Sequence, residues 1–236
     1  MAISGNHETT YRQGKNETFE RFDYKMPEQD TEKGFYYSFS YGGVKFIMLN
    51  TNRLGGNEGL TSDQYNWLES ELKNKTEKWT IVAMHNPMYS VGKWGSDKTK
   101  NSIALALAKQ LKGLFAQYKV DLVLQGHDHM YSATYPLDGN GQPTGITVGE
   151  DGYYQDPNGV IYVMNGPAGN QSKGTNDLFI DDNNRNLYYY GTTSEQCSLA
   201  KFTVDGDKMT VTVKSAASGT ATVVRQWGIK KPLKTC

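Results

Sequence analysis

Four histidines are the residues of this chain best suited to chemistry, and all of them lie in three short motifs. His7 lies in Gly-Asn-His-Glu, and His85 lies in Met-His-Asn-Pro. His127 and His129 share the third motif, Gly-His-Asp-His. Neutral imidazole is a favoured ligand for zinc, iron and manganese. Because no histidine is left for the rest of the fold, the distribution predicts that the motifs gather nitrogen ligands around metal.

Two of these motifs follow apolar segments that are typical of buried strands. Trp79–Met84 leads directly to His85, and Val120–Gln125 leads to Gly126 and His127. Folds of the α/β class present their functional groups at the C-terminal ends of strands. The sequence therefore predicts that two strands deliver His85 and His127 to the site.

The three motifs, in this order, closely resemble those of the calcineurin-like metallophosphoesterases, and especially the purple acid phosphatase branch. The resemblance implies that Asn6, His85 and His127 bind one metal ion and that His129 binds a second. The ions it implies are zinc, iron or manganese, normally as a pair. It further implies that His7 is not a ligand but lies near the phosphate, where it either stabilises the phosphate or protonates the leaving oxygen. Proton donation suits a histidine, whose ordinary pKa is near neutral.

The chain departs from the family pattern at its start. Only Met1–Ser4 precede Gly5, so the aspartate motifs that supply the bridging carboxylate in the family are not among these residues. Asp128 lies between two ligand histidines and is expected to point away from the metal. The expectation is therefore the C-terminal part of a catalytic domain, with an incomplete metal centre and impaired turnover.

A second departure follows the His-Asn-Pro motif. Purple acid phosphatases usually carry another histidine there, whereas this chain has Val-Gly-Lys-Trp ending in Lys93 and Trp94. Lys93 is a candidate to bind phosphate as a point charge, and Trp94 is a candidate to cover an organic substituent. The alternative, an exposed lysine beside a tryptophan that packs the loop, stays open.

Composition limits the class of partner. The 236 residues carry 25 basic and 25 acidic side chains, so no overall field attracts nucleic acid or an anionic membrane. No apolar run approaches the ~20 residues of a membrane span. A small-molecule phosphate ester is the expected partner. Cys197 and Cys236 either form a bridge, as suits a secreted or cell-envelope protein, or are two unrelated thiols.

Periodicity and turn residues indicate the remaining elements. The segment 35–50 predicts a hairpin broken by Gly-Gly, and 199–213 predicts a second hairpin around Asp-Gly-Asp. Helices are predicted from Thr61 or Ser62 to Leu72 and over 102–118, and a strand over 160–165. Segments 136–156 and 166–186 are predicted loops.

These elements predict an α/β sandwich with mixed sheets, of the metallophosphoesterase type, that lacks its N-terminal strands and helices. Residues 1–236 are expected to form a single domain, with a strand-rich C-terminal part from about residue 199. An unsatisfied sheet edge at the start of the domain is expected to favour self-association.

The predicted function is metal-dependent hydrolysis of phosphate monoesters, as in an acid phosphatase. Two alternatives remain open. One keeps the enzyme class but takes phosphodiesters or nucleotides as substrate. The other is a catalytically inactive module that binds metal or another ligand.

Overall fold

The computed structural model describes residues 3, 5, 6, 36–52, 59–92, 94, 95, 102–166, 188–193, 198–215 and 220–232. At 188–193 and 198 only the backbone is described. The helices are α1 (Ser62–Lys73) and α2 (Ser102–Gln117). The strands are β1 (Tyr37–Tyr41), β2 (Val44–Met48), β3 (Trp79–Ala83), β4 (Leu122–Gln125), β5 (Met130–Thr134), β6 (Tyr153–Gln155), β7 (Ile161–Met164), β8 (Tyr188–Thr193), β9 (Ser198–Asp205), β10 (Lys208–Ser215) and β11 (Thr222–Lys230).

The larger sheet brings the candidate site together at one edge. Its seven strands lie in the order β1-β2-β3-β4-β7-β5-β8. The four neighbours β2, β3, β4 and β7 are parallel, whereas β1, β5 and β8 pair antiparallel to their neighbours. Parallel neighbours end at the same edge, so the residues that follow β2, β3, β4 and β7 meet there.

A second sheet covers one face of the first. It has the order β6-β11-β10-β9, with β6 parallel to β11 and the other pairs antiparallel. Alternate residues of the larger sheet point to opposite faces. In β3, Val82 packs with the apolar side of both described helices, while Ile81 packs with Met209, Val211 and Trp227 of the second sheet. The molecule is therefore layered as helices, sheet and sheet.

Helix α1 begins where the sequence provides a cap. The Thr61 hydroxyl accepts a hydrogen bond from Gln64 N (3.1 Å), which satisfies one of the first backbone donors of the helix. Leu68 and Leu72 then lie on the buried face. The buried Gln64 side chain exchanges hydrogen bonds with the backbone of Asn50 (2.8 and 3.0 Å), so the helix is also tied to the chain that leaves β2.

The predicted fold class, an α/β sandwich with mixed sheets, is confirmed. Both predicted hairpins and both predicted helices form within a few residues of the predicted bounds. The same holds for three predicted strands: the one before His85, the one before His127 and the one after residue 160. The prediction of one loop over 136–156 is wrong at its end, because 153–155 forms β6 against β11. Strands β5, β8 and β11 were not predicted. Neither described helix combines the length and apolar character needed to span a bilayer.

Candidate metal centre

Three side chains from separate motifs meet at the edge of the larger sheet. Asn6 Oδ1 lies 2.8 Å from His85 Nε2, and His85 Nε2 lies 3.1 Å from His127 Nδ1. The two imidazole rings meet edge to face with centroids 5.1 Å apart. All three residues are half-buried, so the cluster is reached from solvent. The structure thus brings together three of the four residues that the resemblance implies as ligands.

The position of His85 depends on a glycine across the strand boundary. Gly126 N donates a hydrogen bond to His85 O at 3.0 Å, which continues the pairing of β3 with β4 beyond their ends. A Cβ at Gly126 would lie only 3.3 Å from His85 Nδ1. Glycine therefore lets the backbone after β4 approach the imidazole closely.

A buried amide network supports the His85 motif from the neighbouring strand end. Asn86 Nδ2 donates to Thr51 O (2.8 Å) and to Asn52 Oδ1 (3.0 Å), and Asn86 N donates to Thr51 Oγ1 (2.9 Å). All three residues are buried. Sequence reasoning missed this network. The available signal was the polar run Asn-Thr-Asn directly after an apolar strand, the same pattern that predicted the histidine sites.

Gln125 fastens the loop after His85 to the end of β4. Its Oε1 accepts hydrogen bonds from Met88 N (2.6 Å) and Tyr89 N (3.1 Å), and its Nε2 donates to Tyr89 O (2.8 Å). The side chain is 4% exposed, so these bonds replace water for three backbone groups. This role was also not predicted.

The backbone at His127 separates the directions of three consecutive side chains. His127 has φ +73°, a left-handed conformation that is uncommon for a residue with a Cβ. Asp128 N donates to Gly126 O (2.9 Å) and closes the turn. His127 faces the cluster, Asp128 is buried with its carboxylate on Ser90 Oγ, and His129 is exposed.

Trp94 lies against the imidazole of His127. The two rings meet edge on with centroids 5.1 Å apart, and 38% of the tryptophan is exposed. This location fits the predicted substrate-facing role of Trp94, which stays a prediction. His7, Lys93, Cys197 and Cys236 lie outside the described residues.

The geometry of the cluster fits one metal ion. Metal–nitrogen and metal–oxygen bonds of about 2.1 Å place adjacent donor atoms roughly 3.0–3.4 Å apart. The donor separations of 2.8 and 3.1 Å are close to that spacing. One amide oxygen and two imidazole nitrogens suit zinc, iron or manganese. Within the described part of the chain, no three His, Cys, Asp or Glu side chains form a metal site by themselves, and the third donor atom of this cluster is the Asn6 amide oxygen.

Comparison with known proteins identifies the family. Residues 1–131, more than half of the 236-residue chain, match the family model described as calcineurin-like phosphoesterase. The chain belongs to this family. Its purple acid phosphatase-like branch is indicated by the relatives, and the calcineurin-like phosphoesterases of that branch are metal-dependent phosphoester hydrolases with dinuclear centres.

Curated relatives of this chain include a plant protein and a human protein. Purple acid phosphatase 23 of Arabidopsis thaliana is 32% identical over 190 residues, which cover 77% of this chain and 36% of the relative. Acid phosphatase type 7 of Homo sapiens is 28% identical over 182 residues, which cover 72% of this chain and 40% of the relative. The chain spans about a third of the length of the curated relatives that it matches.

Solved structures support the same fold. The purple acid phosphatase PPD1 from yellow lupin (Lupinus luteus) seeds superposes with a TM-score of 0.69 at 18% identity, covering 99% of this chain and 41% of that one. PhoD superposes with a TM-score of 0.61 at 12% identity, covering 92% of this chain and 46% of that one. At these identities the likeness is one of fold.

Proposed function

We propose that this phosphoesterase hydrolyses phosphate monoesters in a metal-dependent, acid phosphatase-like reaction. The observation that carries the proposal is the convergence of Asn6, His85 and His127 at the C-terminal edge of parallel strands. Membership of the purple acid phosphatase-like branch supports it. The substrate is a small phosphate ester.

The metal ions in this proposal are zinc, iron or manganese. Asn6, His85 and His127 hold one ion, and His129 contributes to the second. Bound metal supplies Lewis acidity toward the phosphoryl group and lowers the pKa of water. The partly buried cluster suits this role, because electrostatic interactions are stronger where water is partly excluded.

The remaining side chains act on the substrate. His7 follows the ligand Asn6 directly and donates a proton to the leaving oxygen as the bond to phosphorus breaks. Lys93 attracts the phosphate as a point charge. Trp94 covers the organic part of the ester, a role supported by its exposed ring beside His127.

A second candidate function is metal binding without turnover. It is favoured by the composition of the cluster, which has no carboxylate among the described residues that meet there. On this view the chain binds a metal ion through Asn6, His85 and His127 without hydrolysing a phosphate ester. An extracytoplasmic location, with Cys197 and Cys236 joined, belongs to either proposal.

One experiment tests hydrolysis against binding alone. Turnover of p-nitrophenyl phosphate and zinc or manganese stoichiometry are measured for the 236-residue chain and for a longer chain that supplies the aspartate motifs before Gly5. We expect fewer than two ions and little turnover in the first, and strong turnover in the second. In the active form His7→Ala should lower turnover with metal retained, whereas His127→Ala should lose both.

Three outcomes would contradict these assignments. Two tight metal sites in the 236-residue chain would show that the cluster needs no added carboxylate. Loss of metal from His7→Ala would make His7 a ligand. An inactive longer chain that holds both ions would leave metal binding without turnover as the function.

A further inference from the structure

We propose that Asp128 is a positioning residue, which holds Trp94 beside His127 as an apolar wall of the site, and that this wall selects esters with a flat aromatic group. The selectivity part rests on the proposed function. The positioning part rests on the hydrogen bonds and close packing around Asp128 and needs neither metal nor substrate.

The Asp128 carboxylate is directed into the loop that follows the His-Asn-Pro motif. Its Oδ2 accepts hydrogen bonds from Ser90 Oγ (2.5 Å) and from Trp94 N (3.3 Å). Asp128 is 5% exposed and Ser90 is fully buried. A buried carboxylate needs such donors to offset the loss of hydration. One carboxylate oxygen therefore joins the two ends of segment 90–94.

The loop is shaped to receive this carboxylate. Gly92 N donates to Ser90 Oγ (3.0 Å), so the serine hydroxyl accepts from the loop and donates to Asp128. A Cβ at Gly92 would lie 2.5–2.8 Å from the carboxylate atoms of Asp128. Only a residue without a side chain leaves room at that point. The segment thus closes around Asp128 with glycine at its point of closest approach.

Asp128 connects Trp94 to the candidate metal ligand His127. It is the next residue in the chain after His127, and it accepts a hydrogen bond from Trp94 N. His127 precedes Asp128, and its left-handed φ of +73° turns the two side chains in different directions. The imidazole enters the cluster while the carboxylate holds Trp94 N. The indole consequently rests edge on against the same imidazole, at 5.1 Å. An anchor at Asp128 sets the distance between the tryptophan and a ligand.

The exposed indole of Trp94 gives the candidate site one apolar side, which can contact the organic part of an ester. In the described part of the chain, Trp94 is one of six large hydrophobic residues with substantial exposure, at 38%. Aromatic rings gain from stacking or edge contacts in addition to the area they bury. A phosphate ester held at the metal ligands would therefore bind more tightly when it carries an aromatic ring than when it carries a methyl group.

The positioning role is tested without metal or substrate, by acrylamide quenching of tryptophan fluorescence. Trp79 and Trp227 are each 1% exposed, whereas Trp67 is half-buried and also contributes to the quenched signal. Subtracting the signal of Trp94→Phe removes the contribution of all three and isolates Trp94. We expect Asp128→Ala and Ser90→Ala to raise the quenching constant of Trp94 about twofold or more, as the loop loses its anchor. Asp128→Asn keeps an acceptor oxygen and should stay near the wild-type value. Asp121→Ala, which removes a buried carboxylate elsewhere, is the matched control.

The selectivity is tested with zinc and two phosphonates that are not hydrolysed, phenylphosphonate and methylphosphonate. The wild type should prefer the phenyl compound by about tenfold, and Trp94→Ala and Asp128→Ala should both reduce that preference to about threefold or less. Asp121→Ala should keep it. Binding of the methyl compound should change little, because the metal ligands are intact.

The outcomes separate the two proposals. Unchanged quenching in both Asp128→Ala and Ser90→Ala, or an equal change in Asp121→Ala, overturns the positioning role, and if Asp128→Ala does not fold, Ser90→Ala decides it. A wild-type protein that binds both phosphonates equally overturns the selectivity. Failure to bind either phosphonate counts against the proposed function and the selectivity together, and the quenching result then stands for the positioning role alone.

Discussion

At the scale of single residues, the site depends on two backbone features that no side chain can replace. Gly126 lets the chain after β4 approach His85 with a hydrogen bond of 3.0 Å, and His127 adopts φ +73°. A left-handed residue with a Cβ persists only where its surroundings hold it. Here the hydrogen bonds of Asp128 to Ser90 and Trp94 supply that constraint.

We predict that Gly126→Ala weakens zinc binding by about 10–100-fold, the usual effect of disturbing a residue that supports a ligand. The added methyl group would lie 3.3 Å from His85 Nδ1 and would push the imidazole from Asn6 and His127. Calorimetric titration with zinc measures the effect. Gly113→Ala in α2 is the control, because its methyl group would meet only Gly139 O at 3.9 Å. Equal zinc affinity in Gly126→Ala and wild type would count against this account.

At the scale of elements, the loop after β3 is held by the strand beside it. Gln125 at the end of β4 satisfies two backbone donors and one acceptor at Met88 and Tyr89. Asn86 makes the corresponding connection to the residues after β2. Three parallel strands are thereby held together at the edge where Asn6, His85 and His127 meet, which fixes the backbone that carries the two histidines.

We predict that Gln125→Met lowers the free energy of unfolding by at least about 2 kcal/mol. The reason is that each buried backbone group left without a partner costs roughly 1–3 kcal/mol. Urea denaturation measures the change. Gln117→Met, at an exposed position of α2, makes the same chemical substitution and should change stability by less than about 0.5 kcal/mol. Similar losses in the two variants would refute a specific role for Gln125.

At the scale of the whole molecule, the two sheets are joined at the edge opposite the site by an ion pair between a buried aspartate and a partly buried lysine. Lys231, just after β11, lies 2.7 Å from Asp121 Oδ1, and Asp121 precedes β4. The ammonium also lies 4.7 Å from the centre of the Trp79 ring at the start of β3. Burial raises the pKa of the Asp121 carboxyl, and Lys231 opposes that rise.

We predict that Lys231→Met lowers the free energy of unfolding by about 3–5 kcal/mol at neutral pH, because it leaves a buried carboxylate without its ion-pair partner. Lys230→Met is the control. Lys230 pairs with Asp151 at the surface, with side-chain exposures of 27% and 43%, so its loss should cost no more than about 1 kcal/mol. Equal losses would contradict the structural role of the Asp121–Lys231 pair.

The cost of Lys231→Met should also depend on pH. Without Lys231 the pKa of Asp121 in the folded state rises further above its unfolded value, leaving Lys75 as the nearby cation. A carboxyl with a raised pKa stabilises the fold below its unfolded pKa and loses that contribution as pH rises through the folded pKa. The loss of unfolding free energy caused by Lys231→Met should therefore be smaller near pH 4 than near pH 7. The difference should roughly equal the free energy that corresponds to the further rise in the pKa of Asp121. A deficit that is the same at both pH values would contradict this.

The sequence by itself predicted the candidate ligand residues, and it determined the strands that carry two of them and the class of fold. His85 and His127 follow apolar runs, and such runs are read from adjacent residues without knowledge of the partner strands. The hairpins and the cap at Thr61 were predictable for the same reason, since turn and capping chemistry act within a few residues. The roles of Asn6, His7, His85, His127 and His129 come from resemblance to the family, whereas the role of Lys93 comes from its charge. All of these roles stay predictions.

Only the tertiary structure decided which residues support that site. Asn86 bonds to Thr51 at a sequence separation of 35, Gln125 bonds to Met88 at 37, and Ser90 bonds to Asp128 at 38. Strand β6 is short and forms only because β11 lies beside it. Local patterns record whether a segment is helix or strand, but a buried polar group takes whichever partner the packing of strands brings within about 3 Å. That choice is made by the order of strands in the sheet, which the local pattern does not encode.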